Sequence, residues 1–321
     1  MASQPEHREV AFKTPSLSVL ICTRNRPDKL KRAVDSVLSN SFTDFELIVV
    51  DQSTDEKSKE LLATLGDKRL HYIPTNTIGL SISRNIAVRC SRAEIVVYTD
   101  DDCICDREWL GSIDAEFAAD PTVQAVYGRV IPYGRHEGMI CPCINESTCR
   151  SVLEGPAVPG VALGGGNNMA FRKAVFRKVG LFIESLGAGT RLNHAEDTEF
   201  SYRVLWNRCK VVYSPVPLVQ HDKWMDGLQF ADLMKGAVRG LTLVFLSYAL
   251  RRDRFAFVQL LRIGYRVARN RMAIGSVSVG LWYFAEGLAL GPIYRMKRPS
   301  RFVGCGRHGI RCQLSAGRNS D

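Results

Sequence analysis

Three adjacent carboxylates are the residues of this chain best suited to do chemistry. Asp100, Asp101 and Asp102 follow the apolar run from Ile95 to Thr99, whose β-branched and aromatic residues are typical of a buried strand. Adjacent carboxylates repel one another, and a bound cation would relieve that repulsion. Oxygen ligands at this density suit Mg²⁺ or Mn²⁺, ions that commonly hold substrate phosphates. On the triplet alone, a solvated acidic turn or a helix cap is an equally good interpretation.

The segments around the triplet alternate between strand and helix. Apolar runs from Leu17 to Cys22, Phe45 to Val50 and Leu70 to Ile73 are predicted strands. Helices are predicted between them, one starting at Pro27 and one capped by Ser53 or Thr54. The sequence therefore predicts an α/β fold, a mostly parallel sheet with helices on both faces. Ligands of such sheets bind outside the carboxyl ends of the strands, where the triplet would lie.

A series of short motifs resembles a known family. In chain order they read TRNRP, VVDQSTD, GLSISRN, YTDDD, GGGNNMAFR, AEDTEF and LVQH, and they span roughly residues 16–222. Each motif is weak alone, but together and in this order they resemble the inverting nucleotide-sugar glycosyltransferases of family 2, which have the GT-A fold. The resemblance implies a nucleotide-sugar donor, by default a UDP-sugar, and a saccharide or lipid-linked acceptor.

The resemblance also implies which residues bind the nucleotide. Thr23 and Arg26 lie in the turn after the first strand, and Asp51 would accept hydrogen bonds from the base or ribose. Arg84 and Asn85 lie in the helix that contacts the nucleotide, and an arginine fork suits a diphosphate. The chain departs from the commoner family wording at Gln52, where a second acidic residue often stands.

For the triplet, the family pattern is Asp-x-Asp. It implies that Asp100 approaches the ribose, that Asp102 ligates Mn²⁺ or Mg²⁺, and that Asp101 faces away. His221 is a candidate second ligand or phosphate contact, although a single histidine is more often a structural residue.

On the acceptor side, the resemblance points to two segments and a loop. Gly165, Gly166, Asn167 and Asn168 would contact the acceptor, because glycine lets the backbone approach a sugar closely and the amides can bond hydroxyls. The loop over residues 131–159 is a candidate lid. Asp197 matches the second acidic position of the Glu196-Asp197 pair and is the expected general base, with Glu196 or Glu199 as alternatives.

Charge divides the chain near residue 222. Residues 1–222 contain 26 Lys and Arg against 28 Asp and Glu, whereas residues 223–321 contain 17 against 5. We therefore expect a catalytic domain over 1–222, with residues 1–15 flexible, and a basic, apolar-rich helical tail over 223–321. Basic clusters beside apolar helices suit an anionic membrane surface, and a solvated helical cap is the alternative. A membrane-spanning helix is disfavoured by Glu286, and no nucleic-acid recognition module is visible.

Cysteine use and the amino terminus favour a cytoplasmic protein, and the basic tail adds the alternative of a peripheral protein on the cytoplasmic face of a membrane. The ten cysteines have no regular spacing, and Met1 to Ser16 is polar and unlike a signal peptide. Cys141, Cys143 and Cys149 are close enough in sequence for a zinc site, but no fourth ligand is apparent.

Two other function classes fit a sheet of this type. A sugar nucleotidyltransferase usually carries a glycine-rich phosphate loop after the first strand, and the turn TRNRP has no glycine. A non-catalytic binding or scaffold protein would not need the intact triplet or the Glu196-Asp197 pair. A glycosyltransferase remains the interpretation that accounts for both groups of carboxylates.

Overall fold

A nine-stranded sheet forms the centre of the molecule. The computed structural model describes residues 13–155, 163–269, 277–290 and 299–302. In chain order its strands are β1 (Leu17–Thr23), β2 (Phe45–Asp51), β3 (Leu70–Pro74), β4 (Ile95–Asp100), β5 (Cys103–Cys105), β6 (Val123–Pro132), β7 (Ser151–Leu153), β8 (Asn168–Arg172) and β9 (Lys210–His221). The helices in these ranges are α1 (Pro27–Leu38), α2 (Lys57–Ala63), α3 (Leu80–Cys90), α4 (Trp109–Ala119), α5 (Lys173–Val179), α6 (Glu196–Trp206), α7 (Gly227–Ala249), α8 (Arg254–Ala268) and α9 (Val277–Leu290).

The strand order confirms the predicted α/β architecture. β3, β2, β1 and β4 are adjacent and parallel. β8 is antiparallel to both β4 and β6, and β9 is parallel to β6. The short strands β5 and β7 each pair antiparallel with β9. The sheet is thus parallel through its amino-terminal half and mixed beyond β4.

Helices cover both faces of the sheet. On one face, Val19, Val49 and Val97 of the parallel strands pack against α1 and α4, where Trp109 is completely buried. On the other face, α3, α5 and α6 bury an aromatic cluster in which the rings of Phe182 and Phe200 stack at 4.2 Å. Strands buried on both sides explain the nearly continuous apolar runs of the sequence.

Register brings the strand ends together. Thr23 at the end of β1 lies opposite Asp51 at the end of β2, and Cys22 lies opposite Asp100 at the end of β4. In the antiparallel pair of β5 and β9, Cys103 lies opposite His221. The nucleotide-binding candidates and the late histidine therefore meet at one edge of the sheet.

The carboxyl-terminal helices pack against the part of the chain that precedes residue 222 and do not stand apart from it. Tyr202 of α6 shares a hydrophobic cluster with Val238 and Phe245 of α7. Leu243 and Val244 of α7 pack with Leu192 and Ala195, which precede α6. Within the described ranges, none of the helices combines the length and the hydropathy that crossing a bilayer requires.

Candidate active site

The first wall of the site is the turn between β1 and α1. Asn25 adopts the left-handed backbone conformation at φ +57°, which is uncommon outside glycine. Its amide N–H donates to the Ser53 hydroxyl at 2.7 Å, and its side-chain oxygen accepts from the Thr54 N–H at 2.9 Å. Ser53 and Thr54 therefore tie two strand ends together. The prediction that one of them caps α2 was wrong, because that helix begins after Glu56 with no side-chain cap.

Asp51 lies buried at the end of β2 with both carboxylate oxygens engaged. One oxygen accepts from the Ser53 N–H at 2.7 Å, and the other accepts from the Tyr72 hydroxyl at 2.7 Å. The phenol of Tyr72 is a contact that the sequence did not indicate. Each oxygen keeps a further lone pair, so Asp51 is held in place and can still accept from a donor group.

Asp101 does not face away from the site. Its carboxylate accepts from the Thr23 hydroxyl at 2.7 Å and from Arg26 Nη1 at 3.1 Å. Burial and the adjacent charge of Asp102 raise the pKa of Asp101 to about 6. The expectation that the middle residue of the triplet is turned outward was wrong, because its two partners lie in the first turn. Asp101 fixes the position of Thr23 and Arg26, and Arg26 also lies 3.2 Å from Asp102.

Asp102 and His221 are the candidate metal ligands of the site. Asp102 Oδ1 lies 3.3 Å from His221 Nε2, and both side chains are buried. His221 Nδ1 lies 2.8 Å from the Pro142 carbonyl and donates to it, so Nε2 is the ring nitrogen that faces Asp102. Burial opposes ionisation of Asp102, yet the hydrogen bond and charge of His221 hold its pKa below the usual value. A carboxylate oxygen and an oriented imidazole fit a divalent cation that is also bound by donor phosphates.

The other possible ligands nearby are sulfur atoms. Cys103 lies within 4.8 Å of both Asp102 and His221 through its Sγ, but burial raises the pKa of its thiol well above the usual value. A protonated thiol is a poor ligand for Mn²⁺ or Mg²⁺. In the described ranges, Cys141, Cys143 and Cys149 do not form a common cluster, so the zinc alternative has no support there.

Arg84 links the acidic triplet to the start of α6. Its guanidinium, 3% exposed, lies 3.0 Å from Glu196 and 3.4 Å from Asp100. Burial opposes the charge, but these carboxylates raise the pKa of Arg84. The side chain passes under Gly166, where an added Cβ would lie 2.3 Å from Arg84 Nη2. The predicted open fork for a diphosphate is therefore occupied, and Arg84 positions the carboxylates instead.

Asn85 is also turned away from the nucleotide. It is completely buried, donates to the Phe182 carbonyl at 3.0 Å and accepts from the Phe182 N–H at 2.9 Å. Its amide also donates to Glu184 at 3.1 Å. The predicted nucleotide contact is corrected, because the amide is fully used in holding the loop that follows α5.

The glycine segment, the candidate acceptor side, is tied to the start of α6. The Gly166 N–H donates to Asp197 Oδ2 at 3.0 Å, which ties the segment to the start of α6. Asn167 donates to the Cys143 carbonyl at 3.1 Å, while its buried Oδ1 has no partner among the described residues. A Cβ on Gly165 would lie 3.1 Å from that oxygen and 3.8 Å from Asp197 Oδ2. The absence of a side chain at Gly165 thus leaves open the space beside both hydrogen-bond-accepting oxygens, where a hydroxyl could donate to either of them.

Asn168 has a packing role in place of the predicted acceptor contact. Its side-chain oxygen accepts from Trp109 Nε1 at 2.9 Å, and its amide donates to the carbonyls of Arg129 and Pro217 at 2.9 and 3.0 Å. The amide fits only because residue 128 is glycine, since a Cβ there would lie 2.2 Å from Asn168 Nδ2. Asn168 therefore joins α4, β6 and β9 under the site.

Replacing Asn168 distinguishes its packing role from the predicted contact with the acceptor. We expect Asn168→Ala to lower the free energy of unfolding by ~1–3 kcal/mol or more, because it leaves the buried indole N–H and two carbonyls without partners. The KM for acceptor should stay close to that of the parent. Denaturant unfolding and initial-rate kinetics test this, with Asn145→Ala on the candidate lid as a matched asparagine. An unchanged free energy of unfolding together with a much higher KM for acceptor would instead support the prediction that Asn168 contacts the acceptor.

The start of α6 presents the candidate base. Ala195, its N-cap residue, adopts φ +74°. L-residues rarely adopt this backbone conformation, and those that do are often found at functional sites. Glu196 is buried against Arg84, and burial with the adjacent charge of Asp197 raises its pKa. Asp197 is half-buried, and its Oδ1 accepts from the Thr198 N–H at 2.6 Å. Of the two carboxylates, Asp197 is the one that a substrate can reach.

The candidate lid contacts the site through its backbone. Ile140 and Met225 form an antiparallel bridge, and Val130 pairs with Asn145 in the same way. Between these bridges, Pro142 orients His221 and Cys143 bonds Asn167, with Cys143 at φ +58°. The carbonyls of residues 142 and 143 are functional contacts that side-chain motifs could not have indicated. The last four residues of the predicted loop, 156–159, lie outside the described ranges.

Comparison with protein families gives one match, over residues 18–180, to the model described as glycosyl transferase family 2. A curated relative, the pre-mycofactocin glycosyltransferase of Mycobacterium tuberculosis, is 26% identical over 68% of this chain, and the chain spans 44% of its length. The glucosyl-dolichyl phosphate glucuronosyltransferase of Haloferax volcanii is 22% identical over 88% of this chain and 97% of that protein.

Solved structures share the fold. The mannosyltransferase PcManGT from Pyrobaculum calidifontis, in complex with GDP-Man and Mn²⁺, superposes with a TM-score of 0.57 at 19% identity, covering 88% of this chain and 79% of that one. TarS 1-349 of S. aureus in complex with UDP gives a TM-score of 0.51 at 17% identity, covering 87% and 72%. At these identities the likeness concerns the fold alone.

Proposed function

The chain belongs to glycosyl transferase family 2, and we propose that it is an inverting, metal-dependent enzyme that moves a sugar from a nucleotide-sugar to a hydroxyl of a saccharide or lipid-linked acceptor. One observation carries the proposal. Arg84 contacts both Asp100 and Glu196, so the acidic triplet and the start of α6 form a single site. A nucleotide-binding edge and a reachable carboxylate on the acceptor side are what glycosyl transfer needs.

The donor would occupy the edge formed by the ends of β1, β2 and β4. Asp51 can accept from the nucleotide base or ribose, Thr23 lies directly opposite it, and Asp100 is the exposed carboxylate of the triplet. Asp102 and His221 would hold Mn²⁺ or Mg²⁺, which when bound neutralises charge on the departing diphosphate. Arg26, held by Asp101 and Asp102 and about half exposed, adds a fixed cation beside the same position.

The acceptor would enter from the glycine segment. Its hydroxyl would lie near Gly165, within reach of Asp197 Oδ2 and Asn167 Oδ1. As the oxygen bonds to the anomeric carbon, its proton passes to Asp197 and the bond to the diphosphate breaks. Attack on the face opposite the leaving group inverts the configuration. The Gly166 N–H and Thr198 N–H hold the carboxylate in place for that transfer.

The location proposed for the enzyme is the cytoplasmic face of a membrane, as a peripheral protein. The basic surplus after residue 222 supports attraction to anionic lipid. The name of the Haloferax volcanii relative, which the chain matches nearly end to end, includes a dolichyl phosphate, and this supports a lipid-linked acceptor as one of the two acceptor classes.

A donor screen tests the proposed reaction. Purified protein is incubated with UDP-sugars and GDP-sugars in Mn²⁺, Mg²⁺ or EDTA, and released nucleoside diphosphate is measured. We expect metal-dependent release from a small set of donors. Release of pyrophosphate from a nucleoside triphosphate and a sugar phosphate would instead identify a nucleotidyltransferase. Failure to bind any nucleotide by calorimetry would favour a scaffold protein.

A further inference from the structure

Helices α8 and α9 expose large apolar side chains on one surface. Phe257, Leu261 and Tyr265 follow one another at four-residue spacing on α8 and are 55%, 58% and 57% exposed. On α9, Trp282 is 60% exposed. Glu286 is the one charged residue in the α9 sequence, and it lies 3.6 Å from Arg239 of α7. The outer face of α9 therefore carries no charge, which is unusual for a surface in contact with water.

A groove runs between these helices and the end of α7. Its volume is about 590 Å³, and its walls include Leu246, Leu250, Leu260, Phe284 and Leu288. The other wall residues are Ala249, Phe257, Leu261, Gly264 and Tyr265. One tyrosine hydroxyl is the only polar side-chain group among them. A sugar or nucleotide would find only that one side-chain hydrogen-bonding partner there, whereas a hydrocarbon chain would lose no hydrogen bonds by entering.

Arginines surround this apolar surface. Arg251, Arg252 and Arg254 lie at the turn between α7 and α8, and Arg262, Arg266 and Arg269 follow along α8; all are exposed. Among the described residues, none of the six forms an ion pair with a carboxylate. Asp253 does not neutralise them, because its carboxylate caps α8 and accepts from the Tyr202 hydroxyl. The cations are therefore available to an anionic partner.

We propose that the α8–α9 surface is a docking site for an anionic phospholipid bilayer. The helices lie along the surface, the exposed apolar side chains enter the interface, the groove takes an acyl chain, and the arginines contact headgroup phosphates. A second copy of the chain is a poorer occupant, because a symmetric contact would bring the two sets of arginines together. The inference rests on the proposed membrane location and specifies the surface responsible for it.

The bound lipid is an anchor and not the acceptor. Phe255 at the start of α8 contacts the Trp206 ring at 6.0 Å. Trp206 ends α6, and Asp197 lies at its beginning, roughly 14 Å away along the helix axis. The docking surface and the reacting atoms therefore lie at opposite ends of one helix.

Vesicle binding by the full chain tests the surface. The parent is compared with an apolar variant, Leu261→Gln/Trp282→Gln, and with an arginine variant, Arg252→Gln/Arg254→Gln/Arg262→Gln. The vesicles are phosphatidylcholine alone or phosphatidylcholine with about one third phosphatidylglycerol, which is anionic. The arginine variant should lose roughly 100-fold in binding to anionic vesicles, since each cation contributes about 5-fold, and high salt should mimic it. The apolar variant should lose at least ~10-fold on both vesicle types. Leu228→Gln is the matched control, because Leu228 is 81% exposed at the far end of α7.

Fluorescence shows whether Trp282 enters the lipid. Brominated acyl chains should quench the parent and leave Trp282→Phe nearly unaffected. Equal loss of binding in Leu228→Gln, or no quenching assigned to Trp282, would overturn the docking surface. Self-association that Leu261→Gln abolishes would identify a second copy as the occupant. Sugar transfer to a soluble acceptor should survive in both multiple variants. If the parent bound membranes but transferred no sugar, the proposed enzymatic function would be refuted and the proposed docking surface would still stand.

Discussion

Asp197→Asn is expected to lower the rate of sugar transfer by ~10²–10⁴-fold while leaving nucleoside diphosphate binding unchanged. The amide keeps the shape of the side chain, and its single oxygen can still accept from either the Gly166 or the Thr198 N–H group, so one of these two bonds is lost. It lacks the basicity that removes a proton from the acceptor hydroxyl. The proposed nucleotide contacts lie at the ends of β1, β2 and β4, so calorimetry with nucleoside diphosphate should give the parent affinity.

Glu196→Gln distinguishes the two neighbouring carboxylates. This change breaks a buried ion pair with Arg84, so we expect a lower free energy of unfolding as well as lower activity. Asp197→Asn breaks no ion pair, so its free energy of unfolding should fall by only ~0.5–1.5 kcal/mol, the contribution of the one backbone hydrogen bond that it loses. Suppose that Asp197→Asn transferred sugar at a rate within a few-fold of the parent, whereas Glu196→Gln was fully folded and inactive. Glu196 would then be the base.

Removal of the metal is expected to stop transfer, and Asp102→Asn to weaken metal affinity or activity by ~10–100-fold. The change removes one anionic oxygen beside His221 Nε2 and also one partner of Arg26. Initial rates measured across Mn²⁺ and Mg²⁺ concentrations should show a higher apparent dissociation constant. A partial rescue at high metal concentration would separate this loss from misfolding.

Asp222→Asn provides the matched control for the metal prediction. Asp222 directly follows His221, and its backbone N–H donates to the Asp102 carbonyl at 2.7 Å. Its carboxylate pairs with Arg32, away from His221, so removing that charge should leave the metal dependence unchanged. Full turnover of the parent in excess EDTA would rule out a metal-dependent reaction.

Much of the sheet could be predicted because its strands are apolar on both faces. The runs ending at Thr23, Asp51 and Asp100 show almost no alternation of apolar and polar residues, unlike strands with one face in water. Sequence patterns typical of helices lie between these runs. The carboxyl ends of adjacent parallel strands lie at the same edge of a sheet. The sequence alone therefore predicts that the candidate nucleotide-binding residues lie close together. The motif order then indicated the family.

The roles of buried polar side chains could not be predicted in the same way. Asn85 bonds a residue 97 positions away, and Asn168 bonds a tryptophan 59 positions away. Arg84 is held by a carboxylate 112 positions along the chain. A motif identifies the residue type at a position, whereas the direction of its side chain depends on partners that only the tertiary structure brings close. For this reason the prediction was wrong for two asparagines and for the arginine fork.

The hydrogen bonds from α6 to the last helices bear on how the chain can be shortened. Glu199 and Arg203 form a buried pair within α6, and the Tyr248 hydroxyl of α7 donates to Glu199. A chain cut at the compositional boundary near residue 222 would lose that donor and expose the clusters around Tyr202 and Ala195. Charge changes there, but the hydrophobic core continues across it. We therefore expect one cooperative thermal transition for the whole chain, and aggregation of the isolated amino-terminal fragment.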